Sequence, residues 1–476
     1  MSEPQVRMTD VIVIGAGAVG ENVAERVVKG GLEAIIVESE LVGGECSYWA
    51  CMPSKALLRS TAVVHAARNV DGAKQAVTGE VNVAAVLKRR DSFTSNWDDS
   101  GQVEWLDGAG VTLRRGYARL VGERMVEVAK KDGGIERWEA RHAVVLANGS
   151  VPSIPRIEGI ETVRTWGTRE ATSAKAIPGR LAVLGGGVAG VELAQAYARL
   201  GSKVTIIARG KLLSSYPAQA VALVSKGLET DGITLMLETT TKSLSQRDDG
   251  SVGIVVDPGD PVVVDEVLVS TGRHPATEDV GLDSVGVTAK KLTVGADGRV
   301  QEVPAGWLYA VGDVAGKVLL THQGKYEART TGDAIAARAM GKLGDEVEAW
   351  SRYASTADEY AVPQVVFTDP EIVMVGRTEA QATEAGLNVR AVDIPMSVGG
   401  TSLHADGYEG WAQIVVDEDR GVIVGVTFAG QDVSEMLHAA SIAIVGEVPM
   451  TRLWHAVPAY PTMNEVWLRL LEAFGL

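Results

Sequence analysis

Cysteine is nearly absent from this chain: there are two in 476 residues, Cys46 and Cys51. No disulfide framework is therefore available to stand in for a hydrophobic core. No run of 18 apolar residues occurs either, so no segment reads as a membrane span. The residues from Met1 to Asp10 are polar and charged and hold no apolar signal region. Basic residues are in deficit, with 45 Lys and Arg against 61 Asp and Glu and a net charge of −16. An acidic surface argues against nucleic acid or an anionic membrane as partner. Two cysteines without a signal are the usage expected of a reducing, cytoplasmic setting, where a disulfide is usually transient and catalytic.

Hydrophobic residues make up 46 % of the chain, enough to build large cores. The length suits about three domains.

Both cysteines lie in Gly43-Gly44-Glu45-Cys46-Ser47-Tyr48-Trp49-Ala50-Cys51-Met52-Pro53-Ser54-Lys55. In a regular helix, positions i and i+5 are separated by a rise of about 7.5 Å and a rotation of about 140°. That is beyond the ~7 Å that a disulfide spans. The spacing therefore predicts Cys46 in a turn and Cys51 at or near the start of the following helix. Gly43 and Gly44 permit the turn, and Pro53 suits a first helical turn. Ser54 to Ala67 reads as that helix. A cysteine at a helix N-terminus feels the positive end of the dipole, which favours thiolate. The plain alternative is two inert core cysteines.

Val11 to Ile14 is a continuous apolar run of the kind a buried parallel strand shows. Gly15-Ala16-Gly17-Ala18-Val19-Gly20 follows, then a helical stretch from Glu21 to Lys29, then a second apolar strand from Ala34 to Val37 ending at Glu38. This is a GxGxxG between strand and helix with an acid at the next strand end. Gly15, Gly17 and Gly20 let backbone amides approach a pyrophosphate, and Glu38 accepts hydrogen bonds from ribose hydroxyls. A tight strand–helix turn without ligand is the competing reading.

Residues 80–115 are charged and mixed, a helix followed by a strand. Ala143 to Ala147 is another buried strand, and Asn148-Gly149-Ser150 with Pro152 and Pro155 reads as an exit into a connector. Leu181 to Leu184, Gly185-Gly186-Gly187-Val188-Ala189-Gly190, a helix to Leu200 and a strand from Val204 to Ile207 repeat the dinucleotide pattern. Here no acid stands where Glu38 stood. Ala208, Arg209 and Lys211 take its place, which suits a 2′-phosphate and predicts NADPH over NADH; a solvated basic loop is the alternative. Val267 to Ser270 and Leu308 to Val311 are further strands, ending in Thr271-Gly272-Arg273 and Gly312-Asp313. Asp313 either reaches a ligand hydroxyl at the mouth of the sheet or caps a helix. From about Tyr353 the pattern becomes antiparallel. Strands at 365–367, 372–375, 413–416 and 422–426, with a last helix from Asn464 to Phe474, read as a separate α+β domain.

In this order, two dinucleotide units, a CxxxxC-x-PSK segment, TGR, GD and a C-terminal α+β domain resemble the flavoprotein disulfide reductases. Dihydrolipoamide dehydrogenases, glutathione reductases and mercuric reductases are among them. The resemblance covers nearly the whole chain. It implies an α/β fold with two Rossmann-type domains: FAD on residues 9–152 plus 274–350, NADPH on 153–273, and a C-terminal dimerisation domain on 351–476. The implied assembly is a homodimer in which the partner subunit completes each active site. Carried over to this sequence, Cys51 is the thiolate against the flavin and Cys46 the interchange thiol. Lys55, paired with Glu192, lies near the flavin N5. Gly44, Tyr117, Ala118, Asn148, Gly149, Arg273, Gly312 and Asp313 join Gly15, Gly17, Gly20 and Glu38 at FAD. Gly185, Gly187, Gly190, Glu192, Arg209, Lys211 and Gly272 serve NADPH, and no metal is implied.

Two departures bear on function. The family's histidine, which with a glutamate protonates the leaving thiolate, is replaced in Tyr460-Pro461-Thr462-Met463-Asn464-Glu465 by Tyr460, while Glu465 is kept. Tyrosine titrates near ~10, against ~6.5 for histidine. Mercuric reductases share the tyrosine, but the C-terminal cysteine pair they use for metal uptake is missing here. A smaller departure is Asn148-Gly149, where Thr-Gly is usual. The leading expectation is a pyridine nucleotide-disulfide oxidoreductase passing electrons from NADPH through FAD and the dithiol to a small acceptor. The alternatives are a quinone reductase or diaphorase that bypasses the dithiol, and an NADPH-responsive binding partner with little turnover.

Overall fold

The apolar runs become strands of parallel sheets, and those at 11–14, 181–184 and 308–311 are followed at once by glycine. In the computed structural model, which describes residues 5–476, the chain forms two packed units. The first comprises Met1–Pro53, Asp91–Ser153 and Arg273–Asp358, and the second Ser54–Arg90, Ile154–Gly272 and Glu359–Leu476.

The sheet of the first unit places Val6–Ile14 between Ala34–Glu38 and Ile135–Leu146, all parallel, with Ile14 opposite both Val37 and Leu146. Thr112–Arg115 adds beyond Ala34–Glu38. The strand Ile135–Leu146 serves two neighbours. Its first half pairs antiparallel with Met125–Ala129, which pairs with Tyr117–Gly122. Its last residues, Val144 to Leu146, pair parallel with Leu308–Ala310. The hairpin 117–129 was not foreseen, although its alternation of buried Ala118, Leu120, Val126 and Val128 with exposed neighbours is a strand signal. Both apolar faces of the sheet are covered. One face carries the helices Ala18–Lys29 and Thr321–Ala339, which approach at small residues: a Cβ on Gly324 would lie 2.7 Å from Val19, and one on Gly332 would lie 2.6 Å from Arg26.

In the second unit a parallel sheet runs Thr234–Met236, Lys203–Ile207, Arg180–Leu184, Glu266–Val269. A three-stranded antiparallel sheet, Thr240–Gln246, Val252–Asp257 and Val262–Val264, packs its apolar side chains against it. Polar residues in Thr240–Gln246 concealed this sheet from the sequence reading. The C-terminal part is a five-stranded antiparallel sheet ordered Gln364–Val366, Glu371–Gly376, Val422–Gly430, Trp411–Asp417, Val389–Pro395. The last helix, Glu465–Phe474, buries Val466, Leu470 and Leu471. No helix of the described residues is long and apolar enough to cross a membrane.

Glu327, 3 % exposed on Thr321–Ala339, accepts the Gly312 backbone N–H at 2.7 Å through Oε2, while its buried Oε1 has no partner. Burial, aided by the nearby Asp358 charge, pushes its carboxyl up to about 8 from 4.5. A raised acid binds its proton more tightly in the folded state, so its contribution is full below the unfolded value. That contribution is lost as pH rises from 4.5 through about 8. Glu327→Gln keeps the acceptor and removes the charge. It should raise the thermal midpoint of apoprotein at pH 8.5 by more than at pH 5, a gain of order 2–4 kcal/mol at the higher pH. Equal shifts at both values, measured by scanning fluorimetry, would show that Glu327 is ionised throughout.

Candidate active site

The cysteine segment is shaped by two glycines in the left-handed region, Gly43 at φ 109° and Gly44 at φ 62°. Gly43 N donates to Ala16 O at 2.7 Å, and a Cβ on Gly44 would lie 2.8 Å from Gly17 Cα. Only glycine fits both demands. A short helix, Gly44–Tyr48, follows and ends at Trp49, whose φ of −138° breaks the helical path. Cys51 then opens the helix Cys51–Arg68. Cys46 thus sits within one turn of helix rather than in the turn expected from the spacing. The break at Trp49 reverses the geometric objection, because positions 46 and 51 no longer share one axis. The two cysteines are unbridged thiols that hydrogen-bond to each other. Thr321 Oγ1 lies 3.3 Å from Cys51 Sγ and also bonds Cys46. The bond to Cys51, burial and the Cys51 charge push the Cys46 thiol far up, while Thr321 and the Lys325 ammonium pull it down.

One turn beyond Cys51 in the same helix, Lys55 Nζ donates to Glu192 Oε2 at 2.5 Å and stands 4.8 Å from the Phe367 ring. Glu192, 2 % exposed, is held by accepting the Phe367 N–H at 2.9 Å.

At the first glycine loop, Gly15 has φ 99°, and a Cβ there would lie 2.6 Å from Ala147 O. A Cβ on Gly20 would lie 1.9 Å from Gly15 O, so this turn tolerates no side chain. Gly17 caps Ala18–Lys29 without any side-chain hydrogen bond, leaving first-turn amides for an anion. Glu38 accepts from Ala16 N through Oε2 and from Glu40 N through Oε1, each at 2.8 Å, which fixes its carboxylate at the strand end. Asn148 Nδ2 donates to Ala276 O at 2.7 Å, and its buried Oδ1 has no partner. Gly149 has φ 78°, beside the strand Ser150–Pro152. Tyr117 is half exposed and Ala118 is buried at the start of their strand.

A chain of polar contacts that sequence reasoning missed joins Asp313 to the cysteine segment. Ser150 Oγ donates to Asp313 Oδ2 at 2.5 Å, Arg273 Nε donates to Ser150 Oγ at 2.8 Å, and Arg273 also reaches Glu45 Oε2 at 2.7 Å. Burial raises the Asp313 carboxyl, and Ser150 lowers it. Gly312, at φ 71°, precedes it. Nothing in the sequence flags Ser150, Glu45 or Thr321, because each is an ordinary polar residue whose importance lies in its neighbours.

The second loop repeats the first. Gly185 has φ 122°, with a would-be Cβ 2.2 Å from Ser270 O, and one on Gly190 would lie 3.1 Å from Ser270 Cβ. Gly187 caps Val188–Arg199 without a side-chain bond, and Gly272 has φ 112°. Ala208 is buried, whereas Arg209 and Lys211 are exposed.

Tyr460 is 80 % exposed. Glu465, 9 % exposed, accepts from Gly400 N at 3.3 Å; a Cβ on Gly399 would lie 3.2 Å from Glu465 Oε2 and 3.3 Å from the Tyr460 ring. The two therefore flank one glycine pair. A cavity of about 410 Å³ adjoins them, lined by His404, Asp432, Pro461 and Met463 among others. His455 is exposed. Among the described residues no cluster of His, Cys, Asp and Glu forms a metal site.

Comparison with known proteins places this geometry. Residues 9–341 match the pyridine nucleotide-disulphide oxidoreductase family, and residues 362–470 match its dimerisation domain. The dihydrolipoyl dehydrogenase of Thermus scotoductus is 32 % identical over 475 residues, covering 98 % of this chain and 97 % of that one. The dihydrolipoyl dehydrogenase of Haloferax volcanii is 30 % identical, with 98 % and 96 % covered. Among solved structures, the HOCl-induced flavoprotein disulfide reductase RclA from Escherichia coli has a TM-score of 0.80 at 23 % identity, with 97 % of this chain and 99 % of that one covered. LpdA from Mycobacterium tuberculosis has a TM-score of 0.81 at 22 % identity, with 98 % and 100 % covered. These two likenesses speak to the fold alone. The sequence kinship runs the length of the chain and takes in both family domains in order, so this chain belongs to the class I pyridine nucleotide-disulphide oxidoreductases, the FAD-dependent enzymes that work through a redox-active disulfide.

Proposed function

We propose that this enzyme passes electrons from NADPH, through FAD and the Cys46–Cys51 pair, to a small acceptor. The observation that carries the reading is the meeting of the two sulfurs at the helix break, with Thr321 against both. Residues 9–152 with 274–350 hold FAD, 153–273 hold NADPH, and 351–476 form the interface of a homodimer whose partner completes each active site.

The first glycine loop fits a bound flavin dinucleotide. Gly15, Gly17, Gly20 and Gly44 enclose uncapped helix amides for the pyrophosphate, and Glu38 is fixed at the strand end for ribose hydroxyls. Asn148 Oδ1 is a buried acceptor awaiting a donor. Tyr117 and Ala118 meet the adenine, while Gly149, Arg273, Gly312 and Asp313 line the remainder. When bound, FAD supplies two-electron exchange between a nicotinamide and the disulfide. The chain's residues do the rest. Gly185, Gly187, Gly190 and Gly272 receive the nicotinamide dinucleotide, and Arg209 and Lys211 meet its 2′-phosphate. Glu192 orients Lys55. Cys51, at its helix N-terminus, is the inner thiolate.

With a disulfide acceptor, the Cys46 sulfur forms a bond to one half and the other half leaves as a thiolate that takes a proton. Cys51 then displaces the bound half and restores the Cys46–Cys51 bond. The proton donor at the leaving group falls to the Tyr460–Glu465 pair, and a tyrosine is poorly matched to that step near neutral pH. This favours a second reading, in which a quinone needing no leaving-group protonation is the better acceptor.

Three measurements test these readings. NADPH should be preferred over NADH in kcat/KM, and Arg209→Ala should flatten the preference; equal wild-type values would remove the assignment. Cys51→Ser should abolish a long-wavelength band on two-electron reduction, and Cys46→Ser should show it without reductant. Uptake of only two electrons per FAD from dithionite would mean that the cysteines are not redox-coupled. Tyr460→His should raise turnover of lipoamide or oxidised glutathione, with a positioned acid worth typically ~10²–10⁴-fold. Wild-type turnover of such a disulfide at ~10 s⁻¹ or more would refute the handicap assigned to Tyr460.

A further inference from the structure

The loop that precedes the helix Ser100–Gly108 carries an unusual stretch of backbone. Ser95, Asn96 and Trp97 stand consecutively in the left-handed region, at φ 48°, 53° and 59°, with no glycine among them. Left-handed backbone is costly for any residue with a side chain, and a bulky one such as tryptophan rarely adopts it. Trp97 N donates to Thr94 O at 2.8 Å and Asp98 N to Ser95 O at 3.1 Å, which holds the turn. Strain of this kind persists only where the surroundings fix it, and here it accompanies two side chains aimed at the cysteine segment. The half-buried Trp97 donates its indole N–H to Tyr48 O at 3.1 Å, one residue before the break at Trp49. Asp99 Oδ2 accepts the Val42 N–H at 2.7 Å, one residue before Gly43. Arg115 secures Asp99 in turn: its Nη2 donates to Oδ2 at 2.5 Å while its Nη1 donates to Glu40 O at 2.7 Å.

Cys46 lies between the two held atoms, Val42 N and Tyr48 O, and Cys51 follows the second of them. We propose that Trp97 and Asp99 form a brace that fixes the stretch from Gly43 to Tyr48 against the helix of Cys51, and so sets how readily the two sulfurs are joined. The proposal rests on the reading of Cys46 and Cys51 as the redox pair. Both residues act through backbone atoms of the cysteine segment, so they are positioning residues. The two glycines that let the turn form, Gly43 and Gly44, give it little stiffness of its own. Joining the sulfurs releases two electrons and two protons to an oxidant and freezes this same stretch of chain. A dithiol already held in the bridging position loses less freedom on oxidation, so its disulfide is favoured. Brace and bridge therefore favour each other by the same factor.

The test is the dithiol–disulfide equilibrium of the holoenzyme. Protein is equilibrated without oxygen in mixtures of dithiothreitol and its cyclic disulfide, which give or take the two electrons and two protons. After an acid quench, free thiols are counted by maleimide labelling and peptide mass. Trp97→Phe keeps an aromatic ring and removes the N–H. It should shift the ratio of dithiol to disulfide about fivefold toward dithiol, the worth of one hydrogen bond, which is a potential about 20 mV higher. Asp99→Ala, which releases the other end, should shift the ratio the same way. Trp105→Phe, at an exposed site on Ser100–Gly108, should leave it unchanged. A general loss of stability lowers the thermal midpoint without moving this ratio. If Asp99→Ala does not hold FAD, Trp97→Phe decides alone. A Trp97→Phe ratio within about twofold of the wild type, shifted toward disulfide, or matched by Trp105→Phe, overturns the brace while leaving the pair redox-active. Wild-type protein that keeps both thiols in every mixture overturns the redox reading of the pair as well.

Discussion

Contact of backbone on backbone between Gly17 and the Gly43–Gly44 turn is the constraint on which the redox centre depends. The two stretches form a bridge, Gly17 with Gly43, and the Gly43 N–H closes on Ala16 O at 2.7 Å. One stretch opens the dinucleotide helix and the other opens the helix that carries Cys46. The first glycine loop and the dithiol are therefore two sides of one glycine wall. Positive φ at Gly43 and Gly44 makes the wall thin, and the break at Trp49 then folds the second cysteine back onto the first.

Much of this was legible in the sequence. The repeated strand–glycine–helix units fell where the residues said, because a short apolar run closed by glycine and followed by a helical stretch is a local signal. The acidic strand end Glu38 and its basic counterpart Ala208-Arg209 were equally plain, since charge at a strand end is a local signal. Cys46 was placed in a turn on helix geometry that assumes one axis, and the single φ at Trp49 that separates two axes has no signature in composition. The three-stranded sheet at 240–264 escaped because its first strand is nearly all polar. Thr321, Ser150 and Glu45 are beyond any sequence reading, since each matters only through residues more than twenty positions away.

Buried charge is handled in more than one way. In the second unit, His65 Nδ1 and Arg199 Nη1 meet Asp369 Oδ2 at 2.5 and 2.9 Å, and Arg199 also holds Asp231 at 2.8 Å, so these two carboxylates are matched. Asp369 is held below its usual range in spite of its burial, by the bond from His65 and the Arg199 charge. In the first unit, Glu21 and Glu327 each leave one buried oxygen unmatched. Such groups are costly to stability, and Glu327 sits beneath Gly312.

The strand Leu308–Ala310 is the last piece of the first unit's parallel sheet, and it pairs with Val144 to Leu146 across everything from residue 147 to 307. On the ribosome, the N-terminal sheet therefore emerges with an open edge at Val144 to Leu146. It must keep that edge unpaired while the second dinucleotide fold is synthesised in full. Long-range pairing of this kind is slow, and an exposed edge invites association with other chains. The order of translation thus delays closure of the first glycine loop's sheet until residues 147–307 have been made.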